Sequence, residues 1–214
     1  MTEVLPSFTQ WLAVLMNDLQ DDYDVVICID SDDVNRHGPV GGGKSDIAHW
    51  IARAMNPSFN IYTDMVVKDD LVEFKQNLDD RHTYKVIWLD EAEWFLFKQW
   101  WQKPWVKPLT PEFMSNRKER RIWILCVPLI WDIVGFMRDA RVQWRLKVQK
   151  RGEAALFMRG PRMWNDWERD KWGTYITTFK DIPPTPDGAR AQYEERVFGH
   201  KCVKDRCVTR MEKS

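Results

Sequence analysis

The sequence predicts an α/β fold: a mostly parallel β-sheet sandwiched by helices, with a β-hairpin and a helical C-terminal tail. Three observations lead there. Short apolar, β-branched runs (DVVICID at 24–30, YKVIWL at 84–89, RIWILCV at 121–127) have the composition of strands buried on both faces. Segments with apolar residues at helical spacing alternate with them. The order strand, helix, strand, helix, strand suits parallel strands joined by crossover helices.

Taken in order, residues 8–20 place Phe8, Trp11, Leu12, Leu15 and Leu19 at helical spacing. Residues 24–30 form the first strand. A polar stretch, Ser31–His37, leads into GPVGGGKS at 38–45. Ile47, Ile51 and Met55 then share one face of a helix over 45–55. Asn60–Val67 (NIYTDMVV) reads as a second strand and Lys68–Leu78 as an exposed helix. Tyr84–Leu89 is a third strand, ending on Asp90 and Glu91. Residues 92–109 are aromatic and irregular. Thr110-Pro111-Glu112 starts a helix, with a capping hydroxyl and Pro at the first position. Arg121–Val127 is a fourth strand, stopped by Pro128, and Asp132–Ala140 a helix. Gln143–Val148 alternates and meets Ala154–Met158 across KRGE, a hairpin signal. Tyr175–Phe179 reads as a further strand, IPPTPDG at 182–188 as a break, and the tail from Ala189 as a polar helix. The domain is expected over 1–182, with an N-terminal helix in 1–22 and a core at 24–160. The tail covers 183–214.

At 214 residues, 44% hydrophobic and 30% charged, the chain is an ordinary globular one, and collagen-like and disordered classes are excluded. It has no apolar run of about 18 residues, so no transmembrane segment is expected. The start MTEVLPSFTQ lacks the basic region of a signal peptide. Of four cysteines, Cys28 and Cys126 lie in apolar runs, which argues against a disulfide framework and for a reducing, cytoplasmic setting. The zero net charge conceals an asymmetry. Residues 1–93 hold 18 acidic and 7 basic side chains; residues 94–214 hold 14 and 25. An acidic half followed by a basic half points to an anionic partner. A second anomaly is the content of 13 Trp.

Residues 38–45 match G-x-x-x-x-G-K-[ST]. Gly38, Gly41, Gly42 and Gly43 let backbone N–H groups approach phosphate oxygens. The helix that follows points its positive end at the same place. Lys44 would reach the terminal phosphates, and the Ser45 hydroxyl would sit on Mg²⁺. A chance match in such a chain has odds of roughly one in a hundred; the bland reading is a Gly-rich turn before a helix. Asp90 and Glu91 supply a second element. The first carboxylate would hold the metal shell and the next would polarise an attacking water. Alone, two acids after a strand could equally be a favourable helix start.

Together these motifs resemble Walker A and Walker B of P-loop NTPases with a RecA/FtsK-like core. The Asp90-Glu91 pair resembles the subclass with an added strand and a catalytic glutamate, which implies ATP hydrolysis with Mg²⁺. NRKERRIWILCVPLIWDI and MRDARVQWRLKVQKRG further resemble small viral and plasmid ATPases near the FtsK/HerA-type translocases, genome-packaging ATPases and zonular-occludens-toxin-like phage assembly proteins. The resemblance covers roughly residues 24–160. It implies a homo-oligomer, a ring or a transient one, acting on nucleic acid, DNA first, in the cytoplasm (the host's, for a virus). Two departures stand out. Relatives often carry a polar sensor where the fourth strand ends; here Cys126-Val127-Pro128 stands there. The first strand usually runs straight into the phosphate loop; here SDDVNRH intervenes.

The resemblance also implies an arginine finger from a neighbouring subunit, with Arg138 and Arg141, spaced i, i+3, as first candidates and Arg117 next. A solvated basic helix face is the rival reading for each. Residues 94–107 hold Trp94, Trp100, Trp101 and Trp105 with Lys98, Lys103 and Lys107. Bases could stack there, or the loop could be core or oligomer interface. His200, Cys202 and Cys207 have too few ligands at too wide a spacing for a metal site. The expected function is ATP hydrolysis driving nucleic-acid translocation or genome packaging. A phosphate-loop kinase of a nucleotide or other small molecule, and a non-hydrolysing ATP-binding assembly module, are the alternatives.

Overall fold

A computed structural model of the chain describes residues 7–20, 24–31, 43–67, 86–92, 96, 121–159 and 173–197. Its centre is a seven-stranded sheet in the order β2-β3-β4-β1-β5-β6-β7. The strands are β1 (Val25–Ser31), β2 (Met65–Val66), β3 (Val86–Leu89), β4 (Ile122–Cys126), β5 (Trp144–Lys150), β6 (Glu153–Met158) and β7 (Thr174–Phe179). Every pairing from β2 through β5 is parallel; the β5–β6 and β6–β7 pairings are antiparallel. Helices flank the sheet: α1 (Phe8–Gln20), α2 (Lys44–Met55), the short α3 (Ile61–Asp64), α4 (Gly135–Arg141) and α5 (residues 187–197). A 3₁₀ turn, Ile130–Asp132, precedes α4. The architecture is the α/β sandwich expected from the sequence.

The apolar strands are buried on both faces because both faces are covered, and alternate side chains divide between two cores. On one face Val25, Ile27 and Ile29 of β1 join Ile122 and Ile124 of β4 and Val86 and Trp88 of β3, beneath α1 and α2. On the other, Val26, Cys28, Trp123, Leu125, Ile87 and Leu89 pack with Leu96, Ile130, Val134 and Met137. The α1 stripe works as its spacing predicts: Phe8, Trp11 and Leu15 are buried. Trp11 meets Trp144 edge-on at 5.9 Å, and Phe8 meets Phe179 edge-on at 5.5 Å. Part of the Trp excess is therefore core: Trp11, Trp88 and Trp123 are buried.

One expected element is corrected. NIYTDMVV is not a continuous strand; Ile61–Asp64 form a helical turn, and only Met65–Val66 pair with β3. The cause lies in Asn60. Its side chain accepts the Tyr62 N–H at 2.9 Å, while its own N–H reaches the Asp64 carboxylate at 2.9 Å. This reciprocal capping favours a helical turn over extension. The hairpin signal at KRGE is met, with Gly152 at φ 80° in the turn. The tail helix begins at residue 187, slightly before the expected Ala189. The expected helices at Lys68–Leu78 and after Thr110 lie outside the described residues. No helix among the described residues is long and apolar enough to cross a membrane.

Candidate nucleotide-binding site

In a parallel sheet, ligands bind beyond the carboxyl ends of the strands, where the topology switches direction. Here β4 lies between β1 and β3, so the chain leaves β1 for α2 and later leaves β3 at Asp90 on the same sheet edge. The residues expected to bind phosphate meet this edge. Gly38, Gly41 and Gly42 fall outside the described residues; Gly43, Lys44 and Ser45 are in place. Gly43 caps α2 with φ 93°, a left-handed conformation that side chains resist. The space is also taken, since a Cβ on Gly43 would stand 3.4 Å from the Arg151 Cα of the hairpin turn. Lys44 Nζ lies 3.4 Å from Ser31 Oγ, at the end of β1. Ser31 Oγ in turn donates to the Pro128 carbonyl beyond β4 at 3.2 Å. The ammonium thus sits where α2, β1 and the exit of β4 converge.

Beyond β3, two backbone bonds shape the acidic pair. Asp90 N–H donates to the Val66 carbonyl at 3.1 Å, toward β2, and Ala92 N–H to the Cys126 carbonyl at 2.8 Å, toward β4. The chain must turn between neighbours on opposite sides, and Glu91 absorbs the turn at φ 53°. It is the one non-glycine with positive φ among the described residues. That conformation costs an ordinary side chain about 1 kcal/mol. It leaves the Glu91 side chain exposed while Asp90 is buried.

The sequence offered no signal for the next partner. Tyr193 of α5 reaches into the site, where its hydroxyl accepts a hydrogen bond from Ser45 Oγ at 2.9 Å and donates to Asp90 Oδ2 at 3.0 Å. Its ring stacks on Trp88 at 5.7 Å, within 7° of parallel, and Trp88 stacks on Phe59 at 6.2 Å. Burial and the Asp90 charge push the Tyr193 hydroxyl well above the usual tyrosine range, so it stays protonated and donates. Ser45 and Asp90 therefore face one another across a single oxygen. A hydroxyl and a carboxylate are hard oxygen donors of the kind Mg²⁺ takes, with water and phosphate oxygens filling its other positions. Among the described residues no group of three or more His, Cys, Asp and Glu gathers as a metal site.

A buried ion pair supports the floor of this edge. Asp30, at the end of β1, accepts Arg145 Nη2 at 2.6 Å, Arg145 Nε at 3.0 Å and the Ile130 N–H at 3.0 Å. Both side chains are buried. Burial raises the Asp30 carboxyl above the usual carboxylate range, and the Arg145 guanidinium and Ile130 N–H offset only part of this. The signal for this pair was present in the sequence: an acid inside DVVICID demands a partner. On the helix face, Arg151 Nε pairs with Asp46 of α2 at 3.1 Å.

The two arginines proposed as fingers have different surroundings. Arg141 is buried and bonds to Asp24, just before β1, at the end of that strand opposite Ser31. Arg138 is more accessible, with its Nε on Asp139 at 2.7 Å and its guanidinium 4.6 Å over the Trp131 ring. Arg117, His200, Cys202, Cys207 and the Trp/Lys segment 94–107, apart from buried Leu96, lie outside the described residues.

No family model matches the chain, and no curated protein matches it. Solved structures do. A DNA polymerase III gamma subunit-related protein from Thermotoga maritima aligns at 13% identity and TM-score 0.42, covering 64% of this chain and 45% of that one. The chain thus spans under half of that relative's length. The genome packaging NTPase B204 from Sulfolobus turreted icosahedral virus 2, in complex with ATP-gammaS, aligns at 11% identity and TM-score 0.45, over 76% and 99%. The same NTPase with AMPPCP aligns at 10% and 0.40, over 64% and 93%. Likeness at this level assigns neither substrate nor partner to this chain.

Proposed function

We propose that this chain is a P-loop NTPase that hydrolyses ATP and that, as a homo-oligomer, moves or packages nucleic acid. The observation that carries the hydrolytic part is the meeting of Ser45 and Asp90 across one oxygen, at a sheet edge where β4 separates β1 from β3. The parallel order brings the start of α2 and the end of β3 to one edge, and the residue types that meet there, 45 positions apart, suit a metal and a phosphate. In this reading the glycine loop, Gly38 through Gly43, and Lys44 hold the triphosphate. Ser45 and Asp90 hold Mg²⁺, which when bound would neutralise charge on the phosphate oxygens. Glu91 takes a proton from the attacking water as the water oxygen bonds to the γ-phosphorus. The bond from that phosphorus to the bridging oxygen breaks, and ADP leaves with its electrons. The exposed position of Glu91 beside buried Asp90 suits this division between base and metal ligand.

The nucleic-acid part rests on charge. The basic half holds 25 Lys and Arg against 14 acids, and lysines on a phosphate backbone supply most non-specific binding. Arg138 is the preferred finger on a neighbour's site; Arg141 is assigned to holding Asp24. ATPase assays with purified protein, with and without DNA, test both parts. Turnover that requires Mg²⁺, is lost in Lys44→Ala and rises with DNA is the expected result. Phosphate transfer to an added nucleoside without DNA stimulation would replace this reading with a kinase. Tight binding without turnover would replace it with an assembly module.

A further inference from the structure

The segment 181–197 is fastened beside the candidate site at four places. Trp50 Nε1 donates to the Pro183 carbonyl at 2.9 Å, and Thr185 N–H donates to Asp46 Oδ1 at 3.2 Å, so the strap before α5 runs along α2. Tyr62 OH donates to Glu195 at 2.7 Å, which fixes the far side of α5 to α3. Between these anchors Tyr193 bonds Ser45 and Asp90. Ala189, Tyr193, Arg196 and Val197 are the half-buried positions of α5, and they follow helical spacing; the rest of the helix is exposed. A mainly polar helix with one inward stripe gains little from burial. Its position depends on specific contacts, and two of those contacts use the side chains assigned to the metal.

We infer that α5 is an autoinhibitory latch, in which Tyr193 occupies the ground between Ser45 and Asp90 and must withdraw before Mg²⁺ and a nucleotide can use them. This rests on the reading of the site as a Mg²⁺–nucleotide site. The Tyr193 oxygen stands 2.9 Å from Ser45 Oγ and 3.0 Å from Asp90 Oδ2, so it fills the position that an ion held by both would take. Binding therefore competes with the closed form, and the apparent affinity falls by the fraction of molecules that are open. The Trp88–Tyr193 stack adds a second contact that is broken in the same movement. Withdrawal would also uncover the inward stripe of α5, Ala189, Tyr193, Arg196 and Val197, in the nucleotide-bound form.

Tyr193→Phe keeps the stack and removes the hydroxyl. Affinity for a non-hydrolysable ATP analogue in the presence of Mg²⁺ should tighten about tenfold, the size of a lost hydrogen bond to a charged group. Affinity for the same analogue in EDTA should change much less. Tyr62→Phe touches neither Ser45 nor Asp90 but loosens α5. It should tighten Mg²⁺–analogue binding in the same direction by a smaller factor, and it separates a latch from a local effect on Asp90. Hydrogen exchange over 187–197 should rise in wild type when the Mg²⁺–analogue binds. Equal affinities in all three proteins, with exchange unchanged or reduced, overturn the latch and leave the nucleotide site standing. Failure of wild type and both variants to bind the analogue at all overturns the nucleotide reading and the latch with it.

Discussion

Asp30 and Arg145 form a two-pronged ion pair on adjacent parallel strands, with Arg145 Nη2 2.6 Å from Asp30 Oδ2 and both side chains buried. The same carboxylate takes the Ile130 N–H, so one acid ties β1, β5 and the chain beyond β4 together. Asp30 is followed directly by Ser31, the Lys44 partner. The pair thus ties the end of β1 to β5 one residue before the Lys44 contact.

Arg145→Met should cost about 3–5 kcal/mol at neutral pH, because it strands a buried carboxylate. The pH dependence follows from the direction of the Asp30 shift. A carboxyl whose folded pKa lies above its unfolded value contributes stability below the unfolded value and loses it as pH rises through the folded one. Arg145 is the first of the causes that lower Asp30, so its loss raises the folded pKa further. The deficit of Arg145→Met should therefore shrink from pH 7 toward about pH 4, where an unfolded Asp titrates. Urea denaturation at both pH values checks this; a deficit that grows on acidification would reverse the assignment.

Glu91→Gln should leave ATP binding intact and lower turnover about 10²–10⁴-fold, the usual share of a general base. The backbone gives a control. Glu91 holds φ 53°, a conformation glycine adopts without strain, so Glu91→Gly should be equally inactive yet more stable by about 1 kcal/mol. Single-turnover hydrolysis and thermal melts of both variants separate chemistry from fold. Undiminished hydrolysis in Glu91→Gln would remove the base.

What was legible in the sequence was local or periodic. Lys44, Ser45 and Asp90 could be singled out as candidates because each sits in a short motif whose residue types suit phosphate and metal chemistry. The strands β1, β3 and β4 could be found because burial on both faces leaves continuous apolar runs. Asn60–Val67 misled because Ile61 and Met65 to Val67 suit a strand, while one capping side chain, Asn60, decides the local structure. Tyr193 was hidden for a different reason. It sits 103 positions from Asp90 in a polar helix, and no periodicity marks a single aromatic that reaches across a fold. Arg141 and Arg138 look alike in sequence; their partners distinguish them, buried Asp24 for Arg141 and the more exposed Asp139 for Arg138.

DNA affinity should fall steeply with salt if the lysines and arginines of the second half contact phosphates. The slope of log K against log salt gives the number of contacts, at about 0.9 per phosphate on duplex DNA. Titrations from low to physiological salt, on duplex and single-stranded probes, measure it. A flat response, or no binding at low salt, would remove the translocase reading and leave an ATPase with another partner.

Arg138 and Arg141 should separate cleanly under mutation. Arg141→Met leaves Asp24 buried without its guanidinium, so it should cost about 3–5 kcal/mol of stability and lower activity only as far as it lowers the folded fraction. Arg138 contributes little to the fold by comparison, since its partner Asp139 is 38% exposed and screened by water. If Arg138 acts on a neighbour's γ-phosphate, Arg138→Ala should lower turnover by up to about 10³–10⁵-fold with a nearly unchanged melting temperature. Mixing Arg138→Ala with Lys44→Ala then provides the decisive measurement. Each protein is inactive alone, but a mixed oligomer contains interfaces where an intact Lys44 faces an intact Arg138. Recovery of turnover on mixing, rising with protein concentration, is the signature of action in trans. Absence of recovery, with both proteins folded and assembled, would return Arg138 to its own subunit, as the cation that stacks on Trp131.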